Sequence, residues 1–450
     1  METQNKLEII SRKIIKPSSS TSHQHRILKL SCLDQIFPPT YGCLVFFYNS
    51  NTNDGDNHSS FLERSNSLQK SLSKTLVHFY PFAGRLKDSS TIECNDEGVY
   101  FIEAQINCNL FEILNQPKSE TLDQLLNPSK DPKTTQLATN SIFIVQLTAF
   151  KCGGIAIFVC VSHKLVDAAS ACAFVQSWTN LTCDDDMVLA SPKFIGGSLM
   201  PPRELKDLLA FPISDTLLGN QIIPTKSRRF VFSASKLDSL KAKTASNSEI
   251  PINPTNVELV TAMVFKCAIQ AASQSSEGFK PSLISQTVNL RKRMIPPLPE
   301  NAIGNLISAF PVLVEGKGIE LHEIVAKMRK GFQEFCEKKA NRFKGDEGFL
   351  VLLETVRTIG EHATKGTNMY DCSSLCNFPF YEMDFGWGKP IWFTCPVFYR
   401  NVFALMDTKW GGIEVWVTLE EKEMASFERD EEILAFASIN PGVIDTYARI

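Results

Sequence analysis

His163 is the residue whose position best suits proton-transfer chemistry. It follows an apolar run at 155–161, with only Ser162 between them, and small residues typical of a helix begin after Asp167. A continuous apolar run of this length predicts a strand buried on both faces. We therefore expect His163 to lie between a rigid strand and a helix. Neutral imidazole there, with an ordinary pKa of about 6.5, is suited to taking a proton near neutral pH.

Asp167 lies four residues beyond His163, in a His-x-x-x-Asp spacing. An aspartate at the start of a predicted helix is commonly an N-cap, which accepts hydrogen bonds from free backbone N–H groups. The alternative is a carboxylate that orients His163 or fixes the turn. The spacing leaves both roles open, and a lone histidine is more often structural than catalytic.

Composition and charge exclude several classes of function. The net charge of −3 predicts neither a nucleic-acid-binding nor an anionic-membrane-binding surface. No apolar run approaches the length of a membrane span, and the polar start has no secretory h-region. The 13 cysteines contain no Cys-x-x-Cys pair, so we expect no metal site, free thiols and a cytoplasmic protein.

The length of 450 residues favours two domains over a single core. A proline-containing stretch without periodicity suggests limits of 1–190 for the first domain, 191–226 for a crossover linker and 227–450 for the second domain.

Periodicity predicts mixed α/β (or α+β) structure, with helices packed on sheets. Leu68, Leu72 and Leu76 mark one helix face, and Thr255 with Glu258 form a capping box. Further predicted elements are a hairpin joining 143–147 to 155–161, a strand at 286–290, helices at 321–339 and 349–359, a hairpin joining 402–406 to 413–417, and a last helix at 424–436.

Four stretches together resemble the plant BAHD family of acyl-CoA-dependent acyltransferases. They are Tyr-Pro-Phe-Ala-Gly-Arg-Leu at 80–86, His-Lys-Leu-Val-Asp at 163–167, Val-Asn-Leu-Arg-Lys-Arg-Met at 288–294 and Asp-Phe-Gly-Trp-Gly at 384–388. The last is highly specific at this distance from His163. Pro-Pro-Leu-Pro at 296–299 with Gly304 and Asn305 is similar to the branch that contains alkaloid and alcohol acetyltransferases.

The resemblance implies two domains of the chloramphenicol-acetyltransferase type with a channel between them. His163 would lie in the middle of that channel, as general base, with an acyl-CoA entering from one face and an alcohol from the other. The expected reaction is O-acylation in a ternary complex, with acetyl-CoA as the expected co-substrate and a plant alkaloid, terpenoid or other alcohol as acceptor. No resident cofactor is implied, and relatives are usually monomers.

Other site residues follow from the resemblance as structural supports. Asp167 is expected to pair with Arg291, away from the reacting centre. Asp384, Gly386, Trp387 and Gly388 are expected to shape the channel near the CoA side.

One position departs from the family pattern. Relatives commonly have Ser-Trp in a stretch that lines the acceptor pocket, where this chain has Ser374 and Leu375. Leu375 is therefore a candidate acceptor-pocket residue. Three alternatives stay open: hydroxycinnamoyl or benzoyl transfer or N-acylation, thioester hydrolysis, and a catalytically silent ligand-binding homologue.

Overall fold

The described part of the chain forms three β-sheets with helices packed on them. The computed structural model describes residues 7–38, 40–50, 57–125, 141–204, 223–246, 253–276, 278–397 and 399–443. Part of the predicted linker, 205–222, lies outside these ranges.

The described strands are β1 Leu7–Ile15, β2 Ile27–Lys29, β3 Tyr41–Tyr48, β4 Arg85–Asp88, β5 Thr91–Glu93, β6 Val99–Ile106, β7 Phe143–Phe150, β8 Ile155–Ser162, β9 Thr225–Phe232, β10 Ser282–Asn289, β11 Ile307–Val314, β12 Asn368–Ser374, β13 Trp392–Thr394, β14 Val402–Asp407, β15 Ile413–Glu420 and β16 Ser438–Ile439. The described α-helices are α1 Cys32–Gln35, α2 Asn57–His78, α3 Leu110–Asn115, α4 Ser119–Leu125, α5 Ala168–Cys183, α6 Gly196–Leu199, α7 Ala234–Ser246, α8 Asn256–Ser275, α9 Leu321–Lys338, α10 Gly345–Thr364, α11 Glu421–Phe427 and α12 Glu431–Leu434.

The first sheet has the strand order β1-β6-β7-β8-β3-β13. Every residue of β8 is buried, and β7 pairs with β8 in the predicted antiparallel hairpin. Because β8 ends at Ser162 and α5 begins at Ala168, His163 lies between strand and helix as expected. Strand β13 comes from the second half of the chain and pairs with β3, so this sheet draws on both halves.

The second sheet has the order β11-β10-β12-β14-β15-β9-β16, with parallel pairing on both sides of β12. Apolar side chains of these strands form a core with α8, whose N-terminus has the predicted capping box between Thr255 and Glu258. Mixed sheets with packed helices confirm the expected fold class.

The predicted helices at the C-terminal end need one correction. Helices α9 and α10 confirm the predictions at 321–339 and 349–359. The single helix predicted at 424–436 is wrong, because α11 ends at Phe427 and α12 begins only at Glu431. Asp430 separates them, since its carboxylate accepts hydrogen bonds from the N–H groups of Glu432 and Ile433 and caps a new helix. None of the described helices has both the length and the apolar character needed to cross a membrane.

The expectation of free thiols throughout is wrong at two positions. Cys43 and Cys160 form a disulfide between β3 and β8. They face each other in the strand register, although 117 residues separate them in sequence, so spacing gave no sign of the pair.

A buried ion pair joins the two halves of the chain behind His163. Both guanidinium NH groups of Arg291 contact the carboxylate of Asp167, at 2.7 and 3.1 Å, and both side chains are 5% exposed or less. The same carboxylate caps α5 through the N–H of Ser170, at 2.8 Å. Asp167 is thus both the N-cap and the partner of Arg291.

Asp167→Ala is expected to lower the free energy of unfolding by about 3–5 kcal/mol, because Arg291 then stays buried without its counter-charge. The double variant Asp167→Ala/Arg291→Met should recover part of that loss. Denaturant unfolding followed by tryptophan fluorescence measures both values.

The matched control is Glu300→Ala, which removes a partner of Lys292 from a pair whose side chains are 89% and 74% exposed. This variant should unfold like the wild type. If Asp167→Ala also unfolds like the wild type yet is inactive, Asp167 takes part in the chemistry and its structural assignment is wrong.

Candidate active site

His163 is fixed at the edge of a cavity between the two halves of the chain. Its backbone N–H donates to the carbonyl of Thr40 at 2.8 Å, which extends the pairing of β8 with β3 by one residue. Its ring stacks on Phe37, with 4.2 Å between centroids and 9° between planes. Backbone and ring are therefore both held by contacts within the chain.

The side chain of Asn305 determines which nitrogen of His163 carries the proton. The amide nitrogen of Asn305 lies 3.0 Å from Oδ1 of Asp34 and 2.7 Å from the carbonyl of His163, and both of these oxygens only accept. The amide oxygen therefore faces Nδ1 of His163, at 3.1 Å. Nδ1 must donate to it, which leaves Nε2 unprotonated as the base.

Asp34 in turn holds Asn305. Its buried carboxylate accepts from the backbone N–H of Asn305 at 2.8 Å, as well as from the side-chain amide. Its other oxygen accepts from the backbone N–H and hydroxyl of Ser31, at 2.8 and 2.6 Å. Burial raises the pKa of Asp34, and these four donors oppose the rise.

The Asp167–Arg291 pair supports the segment that carries Asn305. Arg291 donates to the carbonyls of Ala302 and Gly304, at 3.0 and 3.2 Å, and Asp167 accepts from the N–H of Leu306 at 3.2 Å. Gly304 has a φ of +137°, a conformation that favours glycine. The pair thus fixes the backbone on both sides of Asn305.

The pKa of His163 is lowered, mainly because burial penalises the charged imidazolium. A hydrogen bond to the backbone of His163 itself, the charge of Asp167 and the Asn305 hydrogen bond each raise the pKa and are the smaller contributions, in that order. The imidazole is therefore neutral at neutral pH, which is the form that a general base requires.

The cavity beside His163 has a volume of about 300 Å³ and a mainly apolar wall. Its floor is one face of the second sheet, which contributes Ser285, Thr287, Met369, Asp371 and Ser373. Its roof is a stripe of α10, formed by Leu352, Thr355, Val356, Ile359, Gly360 and Ala363. A space of this size and character is typical of small-molecule sites.

Residues 384–388 lie away from this cavity. The carboxylate of Asp384 accepts from the N–H groups of Gly386 and Gly388, at 2.7 and 2.9 Å, and both glycines have positive φ. Trp387 stacks on Phe385 with 5.7 Å between centroids. The turn lies near Tyr48, whose hydroxyl donates to the carbonyl of Met383. Tyr48 is at one end of β3 and His163 adjoins the other end, and an eight-residue strand is more than about 20 Å long. Its role beside the CoA channel stays a prediction.

Leu375 is 8% exposed and packs in the core of the first sheet. Ser373, two residues earlier, lines the cavity, whereas Leu375 does not. The structure therefore does not bring Leu375 together with His163 in this cavity, and its effect on the acceptor stays a prediction.

Sequence reasoning missed the residues that orient the histidine. The sequence marks Asn305 only as a residue typical of one branch of the family, and it gives no signal for Asp34 or Phe37. Asn305 is 142 residues from His163 and 271 from Asp34. Its place after Gly304 was the one local signal. Among the described residues, no three His, Cys, Asp or Glu side chains group as a metal site requires.

Comparison with known proteins gives full-length matches. The Transferase family model matches residues 5–434. Akuammiline synthase 1 from Alstonia scholaris is 37% identical over 437 residues, which cover 96% of this chain and 98% of that protein. A limonoid 1-O-acetyltransferase from Citrus sinensis is 35% identical, with 97% of this chain and 99% of that protein covered.

Solved structures give the same result. Vinorine synthase superimposes with a TM-score of 0.80 at 29% identity, covering 96% of this chain and 99% of that chain. TRI101 from F. graminearum, complexed with coenzyme A and deoxynivalenol, shares the fold with a TM-score of 0.71 at 15% identity, covering 92% and 99%. The two-domain architecture of the chloramphenicol-acetyltransferase type is therefore confirmed, and the chain belongs to the BAHD family of acyltransferases.

Proposed function

We propose that this enzyme transfers an acetyl group from acetyl-CoA to a hydroxyl of a plant alkaloid, terpenoid or other specialised alcohol. The observation that carries the proposal is the contact between Nδ1 of His163 and the amide oxygen of Asn305, in a residue that lines an apolar cavity. This contact assigns the ring proton to Nδ1. Nε2 is then the ring nitrogen left for an acceptor hydroxyl. The acetyltransferase named among the relatives supports the choice of donor.

The proposed reaction needs no covalent enzyme intermediate. Nε2 of His163 takes the hydroxyl proton as the acceptor oxygen attacks the thioester carbon. The resulting oxyanion collapses, the carbon–sulfur bond breaks, and the imidazolium returns its proton to the CoA thiolate. Asn305 keeps the ring aligned through both transfers by accepting from Nδ1–H.

The direct test incubates purified protein with acetyl-CoA and a panel of plant alcohols and detects products by mass. An acetylated alcohol is the expected result. A parallel reaction without acceptor measures free acetate, because thioester hydrolysis gives acetate and no ester. Hydrolysis without acetylation of any alcohol contradicts the proposal.

His163→Ala is expected to lower kcat by about 10²–10⁴-fold, because the acceptor proton loses its base. Initial rates with a confirmed alcohol measure the effect, and melting temperature checks that the fold is kept. His78→Ala, at an exposed position at the end of α2, is the control and should keep wild-type rates. Near wild-type turnover by His163→Ala would remove His163 from the mechanism.

Asn305→Ala is expected to lower kcat by up to about 10²-fold with little change in either KM, because the ring loses its alignment. The hydrogen bond from Nδ1 favours the imidazolium, so its loss should lower the pKa of His163 further. The acid limb of kcat/KM for a neutral alcohol should therefore move to lower pH. A variant that loses only melting temperature, with kcat and the acid limb unchanged, would show that Asn305 has no positioning role.

A further inference from the structure

Asp371 supplies a carboxyl group to the wall of the His163 cavity. The other described wall residues are apolar or carry hydroxyls, apart from His163, and none is a lysine or arginine. Tyr399 and His163 are the other titratable groups in the wall. The catalytic sequence proposed above gives this carboxyl no part.

Strand pairing fixes the direction of the Asp371 side chain. Successive side chains of a strand point to opposite faces. Met369, Asp371 and Ser373 line the cavity, while Tyr370 and Cys372 are fully buried in the core on the opposite face. Because β12 is paired on both sides, with β10 and with β14, its backbone cannot turn this carboxyl away from the cavity.

Asp371 is partly exposed in the cavity wall, and few groups compensate its charge. The Ser285 hydroxyl is the hydrogen-bond partner that stabilises its charge, and no ion pair involving Asp371 is found in the described part of the chain. A carboxylate has about four acceptor sites, so most of them remain for a ligand. Burial raises the pKa of Asp371 to about 6, which still leaves it mostly ionised at neutral pH.

We propose that the acceptor is an amino alcohol whose protonated amine pairs with Asp371 while its hydroxyl lies at His163. This inference rests on the proposed function and specifies its substrate class. The described wall has one carboxylate and no lysine or arginine that could neutralise it. A ligand ammonium group supplies the missing positive charge and donates hydrogen bonds to the carboxylate oxygens. The remaining apolar wall, from α10 and the second sheet, contacts the carbon skeleton between the two polar ends.

The pairing also determines which atom of the acceptor reacts. A protonated amine has no lone pair for attack on a thioester, and the Asp371 carboxylate stabilises that protonated form. The hydroxyl, held at the base His163, is then the nucleophile. Asp371 thus favours O-acylation over N-acylation when the same acceptor carries both groups.

The test compares two bicyclic alcohols of equal shape, a quinolizidine methanol and the decalin methanol that has carbon in place of the nitrogen. For each, kcat/KM is measured with acetyl-CoA at neutral pH, in the wild type and in Asp371→Asn. Asparagine keeps the shape and the contact with Ser285 but removes the charge. Asp238→Asn, at an exposed position on α7, removes the same charge outside the cavity and is the matched control.

The wild type should prefer the amine, and Asp371→Asn should lower the amine-to-carbon ratio of kcat/KM by at least about tenfold. Asp238→Asn should keep the wild-type ratio. A ratio near one in the wild type, or a ratio that Asp371→Asn leaves unchanged, overturns the inference. An equal loss for both alcohols identifies Asp371 as a structural or hydroxyl-binding residue and also overturns it.

Calorimetric binding of the two alcohols without acyl-CoA separates this inference from the proposed function. Preferential binding of the amine that is lost in Asp371→Asn supports the pairing even if no ester is formed. In that case the acetyl-transfer proposal fails and the ammonium site stands. If both alcohols are acetylated and bind equally well, the acetyl-transfer proposal stands and the ammonium site is overturned.

Discussion

The buried Asp167–Arg291 ion pair is the contact on which the geometry of the site depends. Burying such a pair costs desolvation free energy, which is offset only when the remaining polar atoms of both side chains also form hydrogen bonds. Here Arg291 donates to Ala302 and Gly304, while Asp167 accepts from Ser170 and Leu306. The pair therefore orders a helix start from one half of the chain and the Asn305 segment from the other. The alignment of His163 follows from that order.

The side chain that orients His163 is the neutral amide of Asn305, and its lack of charge affects the pKa of the imidazole. A carboxylate in contact with Nδ1 favours the imidazolium and raises the pKa of the ring. Asn305 gives the same directional hydrogen bond with no net charge, so burial dominates and the pKa is lowered. The carboxylate of Asp34 contacts the amide of Asn305 rather than the imidazole, so it holds the amide in place.

The sequence predicted well those features that depend on local pattern. The run at 155–161 and the capping box of Thr255 with Glu258 each contain their own signal within a few residues. The two predicted hairpins do so as well, because glycine pairs at 153–154 and 411–412 lie between their strands. The Asp167–Arg291 contact was expected only through family resemblance. Other features depend on strand order or on residues more than a hundred positions apart. They are the contacts of Asn305 with His163 and Asp34, the cavity position of Asp371, and the Cys43–Cys160 disulfide. No local pattern encodes such contacts. The single helix predicted at 424–436 is wrong for a different reason, because Asp430 caps a new helix within an apolar period.

The origin of β13 has a consequence for how the chain is made. This strand pairs with residues 45–47 on the β3 edge of the first sheet, yet it is synthesised long after the other strands of that sheet. As the chain emerges from the ribosome, β3 presents unpaired N–H and C=O groups until residues 392–394 arrive. The first half therefore cannot complete its own sheet during translation. A fragment that stops before β13 would carry an open edge of the kind that promotes aggregation.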